Sequence, residues 1–269
     1  MENAHSALAL PPGEYPDEGE RMALTLQFIG CGDAFGSGGR FNTCFHLVGR
    51  RTNLLIDCGA TSLVAMKQLG TDRNAVQMIV ITHFHADHFG GIPFFILDAQ
   101  FFSKRREPLT IVGPVGLADW YERVMETAFP DSSQAAQKFE LHLVEIAAGQ
   151  TLDVGEIKVS AFQAVHGPPD GPYHAVRIEA EGRTVAYTGD TEWTPALIPV
   201  AQDADLFIAE AYFRDKTILT HLSLSAIEAN LAELRPGRLV LTHMSDDMLS
   251  HPDRDRYETA EDGMVIAIA

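Results

Sequence analysis

The sequence predicts an α/β protein in which two mixed β-sheets pack face to face with helices outside. Three observations point to that class. Apolar or alternating runs of strand length outnumber helical patterns in the first half of the chain, whereas strand–helix units recur in the second. No fixed-period repeat interrupts this order, which excludes a solenoid or propeller. Histidines and aspartates follow several of the apolar runs directly, in the loops those runs release. At 269 residues and 46 % hydrophobic composition, the chain can bury the core such a sandwich needs.

Residues 1–21 are acidic, contain Pro and Gly without periodicity, and read as a flexible leader; residues 22–269 read as one folded domain. Order is expected to begin with the alternating strand Leu24–Ile29, which ends in the turn Gly30-Cys31-Gly32-Asp33. Phe45–Val48 and Asn53–Asp57 have the pattern of hairpin strands around Gly49-Arg50-Arg51. Leu63, Val64, Met66 and Leu69 fall at helical spacing, and Gly70 supplies the stop. Val76–Ile81 is nearly continuous in apolar residues, as a strand buried on both faces would be. Ile92–Phe102 reads as helix, Leu109–Val112 as strand, 117–129 as helix and Phe139–Val144 as extended chain. Strands are then expected at Ile157–Val165, Ala175–Glu179, Thr184–Tyr187, Ala204–Ala209 and Arg238–Thr242, with helices near 195–202 and 223–234.

Charge and cysteine content narrow the function. Thirty-seven acidic against 20 basic side chains give a formal charge of -17, a surface that repels phosphate backbones. The compact basic run Lys104-Arg105-Arg106 reads as a solvated helix end. A small-molecule substrate is therefore expected in preference to a nucleic acid. Cys31, Cys44 and Cys58 cannot all pair within one chain and show no C-x-x-C spacing, so each reads as a small buried hydrophobe in a reducing compartment. Ala7–Leu10 is too short and lacks the basic leader of a signal peptide, and nothing reaches membrane-spanning length, so a cytoplasmic protein without membrane contact is expected.

The chemistry concentrates in Thr82-His83-Phe84-His85-Ala86-Asp87-His88. Four ligand-type side chains follow a buried strand within six residues, and imidazole nitrogens with a carboxylate suit zinc. Alternation sets His83 and His85 on one side of an extended segment, while the following turn lets Asp87 and His88 face a second ion. Three later residues share the same context of an apolar strand ending in a loop: His166 after Ala164-Val165, Asp190 in Thr188-Gly189-Asp190-Thr191, and His243 after Leu239–Thr242.

His-x-His-x-Asp-His, a later His, Gly-Asp-Thr and a late Thr-His resemble the metallo-β-lactamase superfamily over roughly residues 24 to 269. Phe28-Ile29-Gly30, Leu55-Ile56-Asp57-Cys58-Gly59, Ala209-Glu210-Ala211-Tyr212-Phe213 and His221-Leu222-Ser223 resemble its phosphodiesterase branch, which includes ribonuclease Z. The resemblance implies a four-layer αββα sandwich forming one catalytic domain. It implies two divalent metal ions, zinc first, with manganese or iron admitted by the same ligands. His83, His85 and His166 would hold one ion, Asp87, His88 and His243 the other, with Asp190 bridging. A hydroxide shared by the ions would attack phosphorus or a carbonyl carbon, with Asp87 orienting it.

Glu210 and His221 resemble the pair that this branch uses at the leaving group; the rival role for His221 is capping the helix that begins near Ser223. Asp57 is expected to orient a ligating histidine, and Tyr173 and His174 are candidates for the pocket wall. The tRNA-processing enzymes carry a long arm; here the stretches from His166 to Asp190 and from Asp190 to His221 are compact, which with the charge of -17 makes a tRNA 3′-processing endonuclease a lesser alternative. The leading expectation is hydrolysis of a small phosphodiester, cyclic forms included. Lactone, thioester or β-lactam hydrolysis is the alternative, for which Ile92, Phe94, Phe95 and Phe102 would supply an apolar lining. An iron redox protein and a non-enzymatic metal binder complete the set. A homodimer is compatible with the resemblance.

Overall fold

A computed structural model describes residues 24–269; the expected leader, residues 1–21, lies outside the described residues. Strands are numbered along the chain. The first sheet contains β1 (Leu24–Gly30), β2 (Cys44–Val48), β3 (Asn53–Ile56), β4 (Met78–Val80), β5 (Leu109–Pro114), β6 (Leu141–Ile146) and β14 (Val265–Ile268). The second contains β7 (Thr151–Val154), β8 (Ile157–Gln163), β9 (His174–Ala180), β10 (Arg183–Tyr187), β11 (Leu206–Glu210), β12 (Leu239–Thr242) and β13 (Glu258–Thr259). Their orders are β14-β1-β2-β3-β4-β5-β6 and β13-β12-β11-β10-β9-β8-β7. β2 and β3 form the expected antiparallel hairpin, with Phe45 opposite Ile56, and β3 to β6 run parallel.

Alternation explains the layering. Leu26 and Phe28 of β1, Met78 and Val80 of β4, and Val185 and Tyr187 of β10 point between the sheets. Ile29, Ile79 and Ile111 point the other way, under α1 (Ser62–Leu69), α3 (Ile92–Leu97) and α4 (Leu117–Ala128). Phe207, Ala209 and Leu241 do the same under α5 (Leu197–Ala201) and α6 (Leu224–Leu234). β4 and β11 are buried on both faces, which is why their sequences are continuous apolar runs. Phe45 makes edge-to-face contacts with Phe28 and Tyr187, each with centroids 5.0 Å apart, and so ties one sheet to the other. The result is the αββα sandwich that the resemblance implied. Among the described residues, no helix is long and apolar enough to cross a membrane.

Three expectations need correction. The apolar stretch from Ile92 to Phe102 is not one α-helix: α3 stops at Leu97 and a π-helical turn covers Asp98–Phe102. Asp98 is buried there against Lys67 (2.9 Å) and Arg73 (3.0 Å), while Phe101 and Phe102 face outward beneath Lys138 and Lys67. The strand expected from Phe139 begins at Leu141, and the edge strands β7, β13 and β14 were not anticipated because they are short or half exposed. Third, the basic run is not simply a solvated helix end. Arg105 is 1 % exposed and donates to the carbonyls of Arg73, Asn74, Val76, Glu107 and Pro108 at 2.6–3.3 Å. It ties the segment before β4 to the segment before β5. The three cysteines are free and buried, as expected.

Arg105→Met retains much of the side chain's bulk but leaves buried carbonyls without a donor. The variant is expected to lose about 2–4 kcal/mol of stability by urea unfolding; an unchanged midpoint would show that the guanidinium is not a structural tie.

Candidate metal centre

The strands end together at one rim of the sandwich and release the predicted residues there. Asp57 follows β3, the His83–His88 segment follows β4, and His166 lies beyond β8. Asp190 follows β10, Glu210 closes β11, and His243 follows β12. Several of these turns need unusual backbone: Asp57 and His243 lie at φ 58° and 53°. Gly189 lies at φ 59°, where a Cβ would come within 2.4 Å of the His174 carbonyl oxygen. Such positive φ values in non-glycine residues persist only where surrounding bonds hold them.

At Asp57 its own side chain makes such bonds, and at His243 the backbone N–H donates to the Cys31 carbonyl at 3.0 Å. The Asp57 carboxylate, fully buried, accepts from the Thr82 backbone N–H (2.7 Å), the Thr82 hydroxyl (2.8 Å) and His88 Nδ1 (2.7 Å). His83 Nδ1 lies 3.1 Å from Thr82 Oγ1, which spends its own proton on Asp57, so the histidine is the donor. His166 Nδ1 donates to the Thr220 carbonyl at 2.7 Å. These outward bonds fix the rings of His83, His88 and His166 and leave their Nε2 atoms turned inward.

Donor atoms of His83, His85 and His166 lie within 4.8 Å of one another, as do those of Asp87, His88, Asp190 and His243. Asp190 faces both groups, with Oδ1 3.2 Å from His88 Nε2 and Oδ2 3.6 Å from His166 Nε2 and 3.5 Å from His243 Nε2. Asp87 Oδ2 is 3.3 Å from both His88 Nε2 and His243 Nε2. All seven predicted ligand residues are therefore brought together.

The donor groups divide electrostatically: burial holds some imidazoles neutral, and nearby carboxylates raise His88 and His243. Burial drives the His83 imidazole well below its ordinary range, with the neighbouring His88 adding to the effect, and burial also lowers His85. Burial opposes ionisation of Asp190, but His243 and His88 outweigh it and hold the carboxyl well below the usual carboxylate range. Burial likewise works against a charged His243, yet Asp190, Asp87 and Glu210 carry it to about 10. His83 Nε2 is buried without a hydrogen-bond partner, and His88 Nε2 and Asp190 Oδ1 face each other at 3.2 Å without the alignment of a hydrogen bond. Buried polar atoms are normally paired. Three such atoms converging among imidazoles and carboxylates fit divalent metal ions, and the donor types match zinc.

Beside this cluster, His221 Nδ1 is bonded to a fully buried Glu210, whose other oxygen accepts from the backbone N–H groups of Thr191 and Leu222. Burial lowers His221, but the bond to Glu210 and its charge outweigh that and raise the imidazole pKa. The helix-capping role belongs instead to Ser223, whose hydroxyl accepts from Ala226 N–H. Tyr212 stacks on the His221 ring, centroids 4.6 Å apart and 24° between planes. Tyr173 packs against His83, His85 and His166. His174 is buried at the start of β9 and its pKa falls to about 4 through burial; it is absent from the wall of the cavity. That cavity, of about 250 Å³, is lined by His85, Asp87, His166, Asp190, His221 and His243, and also by Phe35 and Tyr212. Neither aromatic was assigned a role from sequence, although Tyr212 stands two residues from Glu210.

Fold and donor set define a metallo-β-lactamase-fold hydrolase of the ribonuclease Z-like branch. The chain belongs to the family described as anti-Pycsar protein Apyc1, whose profile matches residues 24–264. Ribonuclease Z of Methanosarcina acetivorans is 27 % identical over 274 aligned positions, covering 82 % of this chain and 88 % of that protein. Human tRNase Z, short form, is 26 % identical with a TM-score of 0.72, covering 91 % of this chain and 99 % of that one. A diphosphatase from the PhnP family has the same fold, with 19 % identity, a TM-score of 0.73, and coverage of 91 % and 98 %. The 274 positions aligned with the archaeal enzyme exceed the roughly 220 residues that 82 % of this chain supplies, so that enzyme carries some fifty residues with no counterpart here.

Because Asp190 faces both donor groups, Asp190→Ala is expected to bind fewer than two metal equivalents and to lose turnover by 100-fold or more. Elemental analysis of the purified variant tests this; two retained ions with full activity would refute the bridging arrangement.

Proposed function

We propose that this chain is a dinuclear metal-dependent phosphodiesterase acting on small phosphodiesters, cyclic ones included, with residues 22–269 as its single catalytic domain. His83, His85 and His166 would hold one ion and Asp87, His88 and His243 the other, with Asp190 shared. Zinc is the ion these donors favour, and manganese or iron is compatible with them. When bound, such a pair lowers the pKa of a shared water and neutralises charge on a phosphoryl group.

The observation that carries the phosphodiester reading is the Glu210–His221 pair at the cavity wall. With Nδ1 committed to Glu210, His221 has Nε2 left for substrate, and its raised pKa keeps a proton there. Hydrolysis forms one P–O bond from water and breaks another; the departing oxygen takes the proton from His221 Nε2. Asp87, lining the cavity, would orient the water and accept its proton. Glu210 fixes the imidazole and offsets its charge.

Size and charge favour a small substrate. The cavity holds about 250 Å³, the formal charge is -17, and the extra residues of the archaeal ribonuclease Z have no equivalent. The apolar lining that would have supported carbonyl substrates is not at the site. Ile92 and Phe95 are in the core under the first sheet, and Phe94 packs edge-on to Phe129.

A leaving-group series tests the role of His221. His221→Ala is expected to retain its metals and lose about 100-fold or more in turnover of substrates with alkoxide leaving groups. The loss should shrink toward unity for p-nitrophenyl esters, whose leaving oxygen needs no proton. An equal loss for every leaving group would remove the general-acid role.

A further inference from the structure

One large apolar side chain stands at the cavity in an unusual state. Phe35 is 84 % exposed yet lines the same cavity as Asp87, His166 and His221. An exposed aromatic on a loose loop would mean little, but this loop is tightly bonded. Asp33, 1 % exposed, accepts from the backbone N–H groups of Phe35 (3.1 Å) and Ser37 (2.9 Å) and from the Ser37 hydroxyl (2.7 Å). Asn42 donates to the Asp33 carbonyl at 2.9 Å, and Gly38 N–H donates to Asp246 at 2.9 Å. Gly36, Gly38 and Gly39 at φ 65–73° let the chain turn sharply around the phenylalanine. Bonds within the turn and to Asp246 thus hold its backbone, and its aromatic ring is exposed at the mouth of the site. Tyr212, stacked on His221, forms the other aromatic surface of the cavity.

Resting on the phosphodiesterase reading, we propose that Phe35 is the platform on which a planar aromatic substituent of the substrate, such as a nucleobase, stacks while the phosphodiester sits among the histidines. The ring offers an uncovered π-face with no base-specific hydrogen bonds, so it selects for aromaticity and tolerates differences between bases. Covering the ring on binding removes its apolar surface from water, a gain that exists in the bound state alone. Phe35 is in this sense a specificity-determining residue, separate from the groups that move protons.

The test compares the metal-loaded wild type with Phe35→Ala and Phe35→Trp. By calorimetry, Phe35→Ala should lower affinity for a nucleoside 3′-monophosphate about tenfold relative to affinity for inorganic phosphate, and Phe35→Trp should restore the ratio. In turnover, the kcat/KM preference for a 2′,3′-cyclic nucleotide over glycerol-1,2-cyclic phosphate should fall by a similar factor, mainly through KM. Unchanged ratios in both experiments would overturn the platform while leaving phosphodiester turnover standing. Absence of any phosphodiester turnover by the wild type would instead remove the underlying functional reading. Sedimentation of the same proteins covers the other occupant, a second copy of the chain. A Phe35→Ala variant that dissociates a wild-type dimer and loses activity equally on both substrates would make Phe35 an association anchor and overturn the proposal.

Discussion

The Asp57 carboxylate is the contact on which the rest of the site depends. It sits just beyond β3 at a positive φ and accepts three hydrogen bonds from the segment leaving β4. One bond fixes the Thr82 backbone, one fixes the hydroxyl that in turn holds His83, and one fixes His88. A single buried anion therefore sets two imidazoles, one in each donor group, and the loop between them. Burial raises its pKa above the usual carboxylate range, and the charge of His88 with the Thr82 donors offsets only part of that rise. Removing it would leave a buried imidazole and a hydroxyl without an acceptor, the kind of loss that spreads through a polar network.

The same economy recurs around the rim. Parallel strands from both sheets end at one level, so residues distant in sequence need no long loops to meet. Local charge there runs against the overall balance of the protein: a chain with formal charge -17 gathers histidines into a pocket where burial and mutual repulsion keep His83 and His85 neutral. Neutral imidazoles are the form that binds metal, and the carboxylates of Asp87 and Asp190 stay ionised beside them. Glu210 and His221 stand slightly apart, where a proton can be retained. The pocket thus brings imidazoles that burial holds neutral within a few ångströms of others, His88, His221 and His243, that carboxylates raise.

Much of this was legible in the sequence, for reasons that differ by element. β4 and β11 could be read because burial on both faces leaves continuous apolar runs, and the His83–His88 segment because solubility does not demand four ligand-type residues so closely spaced. His166, Asp190 and His243 were readable only through their shared place after a strand. What could not be read depends on tertiary packing. Arg105 looks like a surface cation in sequence and becomes a buried tie because five carbonyls happen to surround it. The helix after Ile92 gives way to a π-turn where Asp98 finds Lys67 and Arg73, partners 25 residues or more away. Edge strands such as β14 carry half-exposed patterns that resemble loops. Phe35 and Tyr212 gain meaning from the cavity between them, which no linear pattern reports.

The central claim is that this centre hydrolyses phosphodiesters. The most direct measurement is turnover by metal-quantified protein of bis(p-nitrophenyl) phosphate and a 2′,3′-cyclic nucleotide beside a lactone and a thioester. Preferential cleavage of the two phosphodiesters, with about two metal ions per chain, is the predicted result. Turnover confined to the lactone or thioester would contradict it, leaving the donor cluster in place but assigning it to carbonyl chemistry.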